Sequence, residues 1–523
     1  MLPLLRQCGY ILCLLGMMLL FPGRSLVAAE VPLKVEGAYS AAAVAPGTAV
    51  TLNILVTIEA PPAPQKQTRP PVSVSLVIDR SGSMEEAKKL NYAIRAGKTL
   101  VQALNENDRF GLVIYDDEVE ELHPLSPLRD KNKILRLLDG ISSGSRTFLS
   151  GGLEAGIKQL RGDKSEQVRR VILLSDGLAN VGVTGSEQVA AIGAKARKES
   201  ISVSAIGLGL DYDETLMQLL AQRGGGQYYY VKDSEDLPAV FRQELALATD
   251  TCTRDLSALF APTGAVRDVK IFGYNIQKDS GASQRIEMSD FYSGEKRQVM
   301  LRLTVTPEAG TKKQNLGVLD LAYTNIADGK PQKVSLPLAL AVEADEQARK
   351  AANAKAEKSI RIVEEEGLLL EAEESHVAAM TALEQGKKEE ARKILNASKA
   401  QLAPRASENK AIANKLAAMD EDERNLDAAS RNKSAQQSMS KAAKNSQYQS
   451  SQGKQQGIML QKGDKDFMVE KLQKTLAAKG FYKGKITGEY NAELEEAVKA
   501  FQKANSIDAD GIAGPVTQRA LGM

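Results

Sequence analysis

Two strand-like runs constrain this chain more than any other feature, because each stops on an aspartate. Val72–Ile78 leads into Asp79-Arg80-Ser81-Gly82-Ser83, and Val171–Leu174 leads through Ser175 into Asp176-Gly177. After the first run, Ala87, Leu90, Ile94, Gly97, Val101 and Leu104 recur at helical spacing. Phe110–Tyr115 reads as another strand, Lys131–Leu138 and Gly152–Leu160 as helices, and Val203–Gly207 and Gln227–Val231 as further strands. A run with no polar interruption, such as Val171–Leu174, suits a parallel strand covered on both faces. The alternation predicts a doubly wound α/β sheet over 72–250. Ligands of such sheets gather at the carboxyl ends of strands, where Asp79 and Asp176 both fall.

The residues at those ends suggest a metal. Asp79, Ser81, Ser83 and Asp176, with Thr147 from a Gly/Ser-rich loop, offer two carboxylates and three hydroxyls. Hard oxygen donors suit Mg²⁺ or Mn²⁺ and suit Zn²⁺ poorly. With hydroxyls as direct ligands and aspartates acting partly through water, the cation stays electrophilic enough to take a carboxylate from another molecule. The D-x-S-x-S run with its downstream Thr and Asp-Gly resembles the metal-ion-dependent adhesion site of the von Willebrand factor type A family. That resemblance implies Ser81, Ser83 and Thr147 as hydroxyl ligands and Asp79 and Asp176 as carboxylates. It further implies a site that binds partners without turning over substrate. Ser145-Arg146 stand before Thr147 where family members often carry Gly-Gly, so Ser143 and Ser145 stay open as alternative ligands. The plainer reading of Asp79 and Asp176 is helix capping, and a cation that only braces the loops is another.

Around this domain the chain divides by composition. Residues 1–29 read as a cleaved signal peptide: Arg6, an apolar core from Tyr10 to Phe21, the Pro22-Gly23 break and Val27-Ala28-Ala29. Cleavage removes Cys8 and Cys13, leaves Cys252 alone and permits no intramolecular disulfide. Residues 30–71 hold one alternating strand, Val50–Val56, and a Pro-rich connector. Four strand patterns in 251–343, at Val266–Ile271, Gln298–Val305, Gly317–Tyr323 and Lys333–Leu340, predict a β-sandwich that the 30–60 strand completes. Residues 344–430 have helix composition with a turn at Gln385-Gly386. Residues 431–460, poor in large apolar side chains, read as a flexible linker. The expected fold class is multidomain: a doubly wound α/β domain, a β-sandwich, a helical segment and a small three-helix C-terminal domain.

That last domain, 461–523, carries a second resemblance. Leu472-Gln473, Gly480-Phe481-Tyr482, Ala497-Val498, Phe501-Gln502, and Asp510-Gly511 with Gly514-Pro515-Val516-Thr517 and Ala520-Leu521 resemble the peptidoglycan-binding family 1 domain. The resemblance implies peptidoglycan as a partner, with Tyr482, Tyr490 and Asp510 as candidate contacts; the alternative for the two tyrosines is core packing. Thr487-Gly488-Glu489-Tyr490-Asn491 departs from the usual Asp-Gly-x-Phe-Gly, and Leu494 replaces a usual Thr.

Charge and composition exclude other classes. Lys+Arg 68 against Asp+Glu 66 offers no bulk basic face for nucleic acid. Two histidines leave little scope for His-based catalysis or zinc, and no H-E-x-x-H or P-loop occurs. Arg161-Gly162-Asp163 reads as a helix end followed by its glycine cap. The sequence therefore predicts a non-enzymatic, exported protein of the periplasm or cell wall, with no transmembrane span in the mature chain. It would hold peptidoglycan and a protein partner offering Asp or Glu. A wall hydrolase or its accessory, and an envelope assembly or stress scaffold with a structural metal, are the alternatives.

Overall fold

The computed structural model describes residues 32–61, 71–163, 168–274, 276–451, 460–465 and 467–505, with 509, 511–513, 517, 520 and 521 beyond them. The expected signal peptide, most of the Pro-rich connector, Asp510, Gly514 and Pro515 lie outside the described residues.

Strict alternation shapes the first strands. β1 (Lys34–Tyr39), β2 (Ala43–Val44) and β3 (Val50–Glu59) precede the α/β domain, and Leu52, Ile54, Val56 and Ile58 of β3 all point into one core. The α/β domain follows. It comprises β4 (Val72–Asp79), α1 (Lys89–Ala103), β5 (Arg109–Tyr115), β6 (Val119–Pro127), α2 (Lys131–Asp139), α3 (Leu149–Arg161) and β7 (Val168–Ser175). It continues through α4 (Ser186–Lys198), β8 (Ile201–Leu208), α5 (Glu214–Gly224), β9 (Gly225–Val231) and α6 (Leu237–Asp250). The strand order is β6-β5-β4-β7-β8-β9, parallel throughout except for β6, which runs antiparallel to β5. Successive residues of β4 serve opposite faces. Leu76 and Ile78 pack with Leu100, Leu138 and Phe241, while Val77 packs with Tyr115, Leu153 and Val171. The interspersed serines are satisfied internally: Ser73 donates to Asp163 and Ser75 to Gln159. Asp163 of the Arg-Gly-Asp tripeptide is thus a buried acceptor. α3 lies so close to the sheet that a β-carbon on Gly152 or Gly156 would stand 2.5 Å from Tyr115 or Val77. Because β4 lies between β5 and β7, the direction of winding reverses at its carboxyl end, the switch point where ligands bind in such sheets.

The chain then returns to its first strands. β10 (Thr251–Pro262), β11 (Val266–Ile271), β12 (Ile276–Lys278), β13 (Gln284–Glu287), β14 (Phe291–Tyr292), β15 (Lys296–Val305), β16 (Lys313–Asn325) and β17 (Pro331–Val342) complete two sheets. Their orders are β1-β3-β15-β11 and β12-β13-β10-β16-β17-β2, with β14 beside β10. The α/β domain is therefore an insertion between β3 and β10. The junction is polar and fully buried. Arg170 of β7 reaches Glu244 of α6 at 2.9 Å and Asp290 of the sandwich at 3.0 Å. Ser204 and Tyr229 donate to Glu244, and Ser202 to Asp290.

Helices follow: α7 (Glu346–Lys355), α8 (Glu357–Glu384), α9 (Lys388–Leu402), α10 (Lys410–Ala429) and α11 (Lys433–Ser451). α8 and α9 form a hairpin that turns at Gln385-Gly386, with Gly386 at φ 76°. Val363 of α8 packs on Leu55, Phe272 and Met300 of the sandwich.

Over Lys433–Ser451, α11 corrects the linker expected at 431–460; residues 452–459 lie outside the described residues. Its apolar content is low, yet Ala443 and the Tyr448 ring are buried in neighbouring cores, and polar contacts add to their hold. The Lys441 ammonium donates to the Tyr212 carbonyl and to Glu214, Lys444 pairs with Glu214, and the Tyr448 hydroxyl accepts the Tyr228 amide of edge strand β9.

At the C-terminus α12 (Phe467–Ala478) and α13 (Ala492–Ala504) share a core of Val469, Leu472, Leu476, Leu494, Val498 and Phe501. Tyr482 and Tyr490 belong to this core as well. Their hydroxyls donate to the carbonyls of Lys485 and Gly511, so the rings are not free to stack on sugars.

Candidate metal centre

Asp79 ends β4 and is wholly buried. Its Oδ1 accepts the Ser81 amide at 2.8 Å and its Oδ2 the Ser175 hydroxyl at 2.7 Å, with the Tyr115 hydroxyl 3.4 Å away. Burial lifts its pKa to about 6; the Ser81 hydrogen bonds oppose the rise and the Asp176 charge adds to it. An ionised carboxylate held this dry favours a cation beside it.

Past Asp79 the chain turns sharply instead of entering a helix. Gly82–Lys88 forms a tight 3₁₀ segment, and Ala87 and Lys88 both adopt left-handed conformations, at φ 50° and 57°. Such strain persists only where the surroundings over-determine it. Before the kink, Ser81 Oγ lies within 3.2 Å of Ser83 Oγ, and Ser83 donates to Asp176 Oδ1 at 2.7 Å. The kink delays α1 until Lys89, two residues later than the helical period starting at Ala87 indicates. Lys89 consequently points inward, and its ammonium sits 2.7 Å from Asp176 Oδ2.

Thr147 comes from the loop before α3 and is buried, whereas Ser145 is exposed. Ser145 contributes its carbonyl, which accepts the Gly82 amide, and Ser143 donates to Glu85. Asn180 fixes Thr147 from the opposite loop: its side-chain Oδ1 accepts the Thr147 amide at 2.9 Å, while the amides of Asn180 and Val181 donate to the Thr147 carbonyl.

The hydroxyls of Ser83 and Thr147 face the same gap. A β-carbon built on Gly177 would stand 3.4 Å from Ser83 Oγ and 3.5 Å from Thr147 Oγ1. Glycine leaves that gap open. The structure thus brings Asp79, Ser81, Ser83, Thr147 and Asp176 together at the switch point. Among the described residues no cluster of three or more His, Cys, Asp or Glu side chains could hold a metal, so a cation here must draw on hydroxyls. The oxygen-only set and the gap beside Gly177 fit Mg²⁺ or Mn²⁺.

Sequence reasoning missed Lys89, Tyr115, Ser175 as a partner of Asp79, and Asn180. Ser175 stood next to Asp176 and was the most accessible of these. Lys89 was hidden because nothing in the sequence marks the left-handed kink that turns it inward.

Comparison with known proteins agrees with both folded ends. Residues 73–243 match the von Willebrand factor type A domain, and residues 468–521 match the putative peptidoglycan binding domain. The uncharacterized protein sll0103 of Synechocystis sp. is 22% identical over 302 residues, covering 56% of this chain and 71% of that one. The N-acetylmuramoyl-L-alanine amidase CwlL of Bacillus licheniformis is 45% identical over 74 residues, 14% of this chain and 21% of the amidase. That likeness is confined to the peptidoglycan-binding part. A solved von Willebrand factor type A protein from Catenulispora acidiphila superposes with a TM-score of 0.56 at 16% identity, covering 73% of this chain and 88% of that one, a likeness of fold. Among the described residues no helix is long and apolar enough to cross a membrane.

Proposed function

We propose that this protein, which carries a von Willebrand factor type A domain and a peptidoglycan-binding domain, is a cell-wall-associated scaffold that captures a protein partner through a divalent cation. Ser81, Ser83 and Thr147 hold the Mg²⁺ or Mn²⁺ directly, and Asp79 and Asp176 balance its charge from behind. The bound cation supplies a Lewis-acidic position for an Asp or Glu of the partner. The protein is exported, works in the periplasm or at the wall, and performs no catalysis of its own. One observation carries this reading: at the sheet's switch point Ser83 and Thr147 turn their hydroxyls to a gap that Gly177 keeps free, with Ser81 and the buried Asp176 bonded to Ser83 and the buried Asp79 bonded to the Ser81 amide.

The test uses the full mature chain on purified peptidoglycan sacculi and on envelope extract. Sedimentation with sacculi is expected with or without metal. Retention of a partner is expected with Mg²⁺ and lost with EDTA or with Asp79→Ala. Retention that survives both changes sinks the adhesion reading and leaves the cation a structural role.

A further inference from the structure

Lys89 has no place among the ligands, yet it is the best-buried cation at the site. Its ammonium lies 2.7 Å from Asp176 Oδ2, with the lysine side chain 9% exposed and the aspartate fully buried. The other oxygen of Asp176 accepts the Ser83 hydroxyl. Both oxygens of Asp176 are therefore engaged within the protein before any metal arrives. The aliphatic end of Lys89 passes Gly209, where a β-carbon would stand 3.5 Å from Cε, so the exit of β8 braces the chain in this position.

We infer that Lys89 is a built-in counter-cation that weakens metal binding in order to leave the loaded site positive toward a partner's carboxylate. Charge counting carries the inference, which rests on the adhesion reading above. Asp79 and Asp176 contribute two negative charges and Lys89 one positive charge. A divalent cation brings the set to a net single positive charge, and an incoming carboxylate neutralises it. Without Lys89 the loaded set is already neutral, and the same carboxylate would leave a buried negative charge. In a site this dry, one charge more or less is felt strongly by both ligands. Lys89 thus shifts attraction from the metal to the partner. It is a positioning residue as well, since it holds Asp176 by the oxygen that faces away from Ser83.

The test uses the full chain and its Lys89→Met and Lys89→Arg variants, with Mn²⁺ as the metal probe and acetate as the carboxylate probe. Mn²⁺ affinity is read by electron paramagnetic resonance, and acetate binding by its displacement of Mn²⁺-bound water in proton relaxation. Lys89→Met is expected to bind Mn²⁺ at least about tenfold more tightly, and to need several-fold more acetate to displace water. Lys89→Arg keeps the charge and is expected to stay near the native values. The melting temperature gives a separate reading: Lys89→Met melts lower than native without metal and gains more from Mn²⁺ than native does. If the methionine variant folds only with Mn²⁺, that is the same result in its limit. Equal or weaker Mn²⁺ binding by Lys89→Met overturns the role of Lys89. Absence of Mn²⁺ binding by the native chain overturns the metal reading itself, so the two failures are distinct.

Discussion

Replacing Arg170 by methionine tests how the strand that ends at Asp176 is held. Arg170 lies at the start of β7 with no exposure to solvent, between Glu244 at 2.9 Å and Asp290 at 3.0 Å. Methionine fills much of the same channel but leaves two buried carboxylates without their cation. Losing one partner of a buried ion pair costs ~3–5 kcal/mol. The hydroxyls of Ser202, Ser204 and Tyr229 soften this loss, since each already donates to one of the carboxylates. We therefore expect about 4 kcal/mol, within the range for such pairs. Urea unfolding of the full chain, at ~3 kcal/mol per molar, would shift its midpoint down by roughly 1 M or more. Amide exchange should quicken at residues 168–175 and 288–292. The triple variant Arg170→Met/Glu244→Gln/Asp290→Asn removes the stranded charges and leaves amide oxygens to accept the same hydroxyls, so it should recover most of the loss. A single variant that loses less than ~1 kcal/mol, or one that loses no more than the triple variant, would refute the argument that charge pairing joins the α/β domain to the sandwich.

Two further outcomes follow from single side chains. Gly177→Ala places a methyl 3.4 Å from Ser83 Oγ and 3.5 Å from Thr147 Oγ1, ordinary contact distances; thermal melting should stay near native while Mn²⁺ binding, read calorimetrically, is lost. Retained Mn²⁺ affinity would place the cation away from this gap. In the helical region, buried His376 accepts from Lys415 at Nδ1 and donates to Asp422 from Nε2. Burial first, and then the Lys415 ammonium, hold its pKa below the ordinary 6.5, against the pull of Asp422 and Glu373. Between that lowered value and 6.5 the unfolded chain binds a proton that the folded chain does not. Stability present above 6.5 is therefore lost as pH falls, and His376→Gln should flatten the slope of melting temperature against pH.

The α/β sheet was legible because its strands announce themselves twice, by apolar runs and by what ends them. Asp79 and Asp176 fall at adjacent carboxyl ends because β4 and β7 are neighbours, and only their common chemistry hinted at that pairing. The kink at Ala87 and Lys88 was not legible, since neither residue favours a left-handed backbone. Nor was burial of Tyr482 and Tyr490. A tyrosine with one bonded hydroxyl and a buried ring has the same sequence signature as one that stacks on a ligand.

The helix at Lys433–Ser451 shows why a polar composition is an unsafe sign of a loose chain. A helix can be fixed by donors and acceptors of its neighbours as well as by apolar packing, and α11 uses both: Lys441, Lys444 and Tyr448 make hydrogen bonds, while Ala443 and the Tyr448 ring are buried in neighbouring cores. This changes the physics of the proposed tether. A coil over 431–460 would let its two ends wander over about 30 Å, whereas α11 is carried on the α/β domain itself. On the far side, α12 meets α6 through Arg242–Glu470 at 2.5 Å and Lys471–Asp236 at 2.6 Å. These pairs are partly exposed, and each is worth little in water. The C-terminal domain is thus placed against α6 by weak ionic contacts, and the candidate metal centre by buried ones such as Lys89–Asp176. In the scaffold proposed above, buried contacts would hold the capture site and partly exposed ones the anchor.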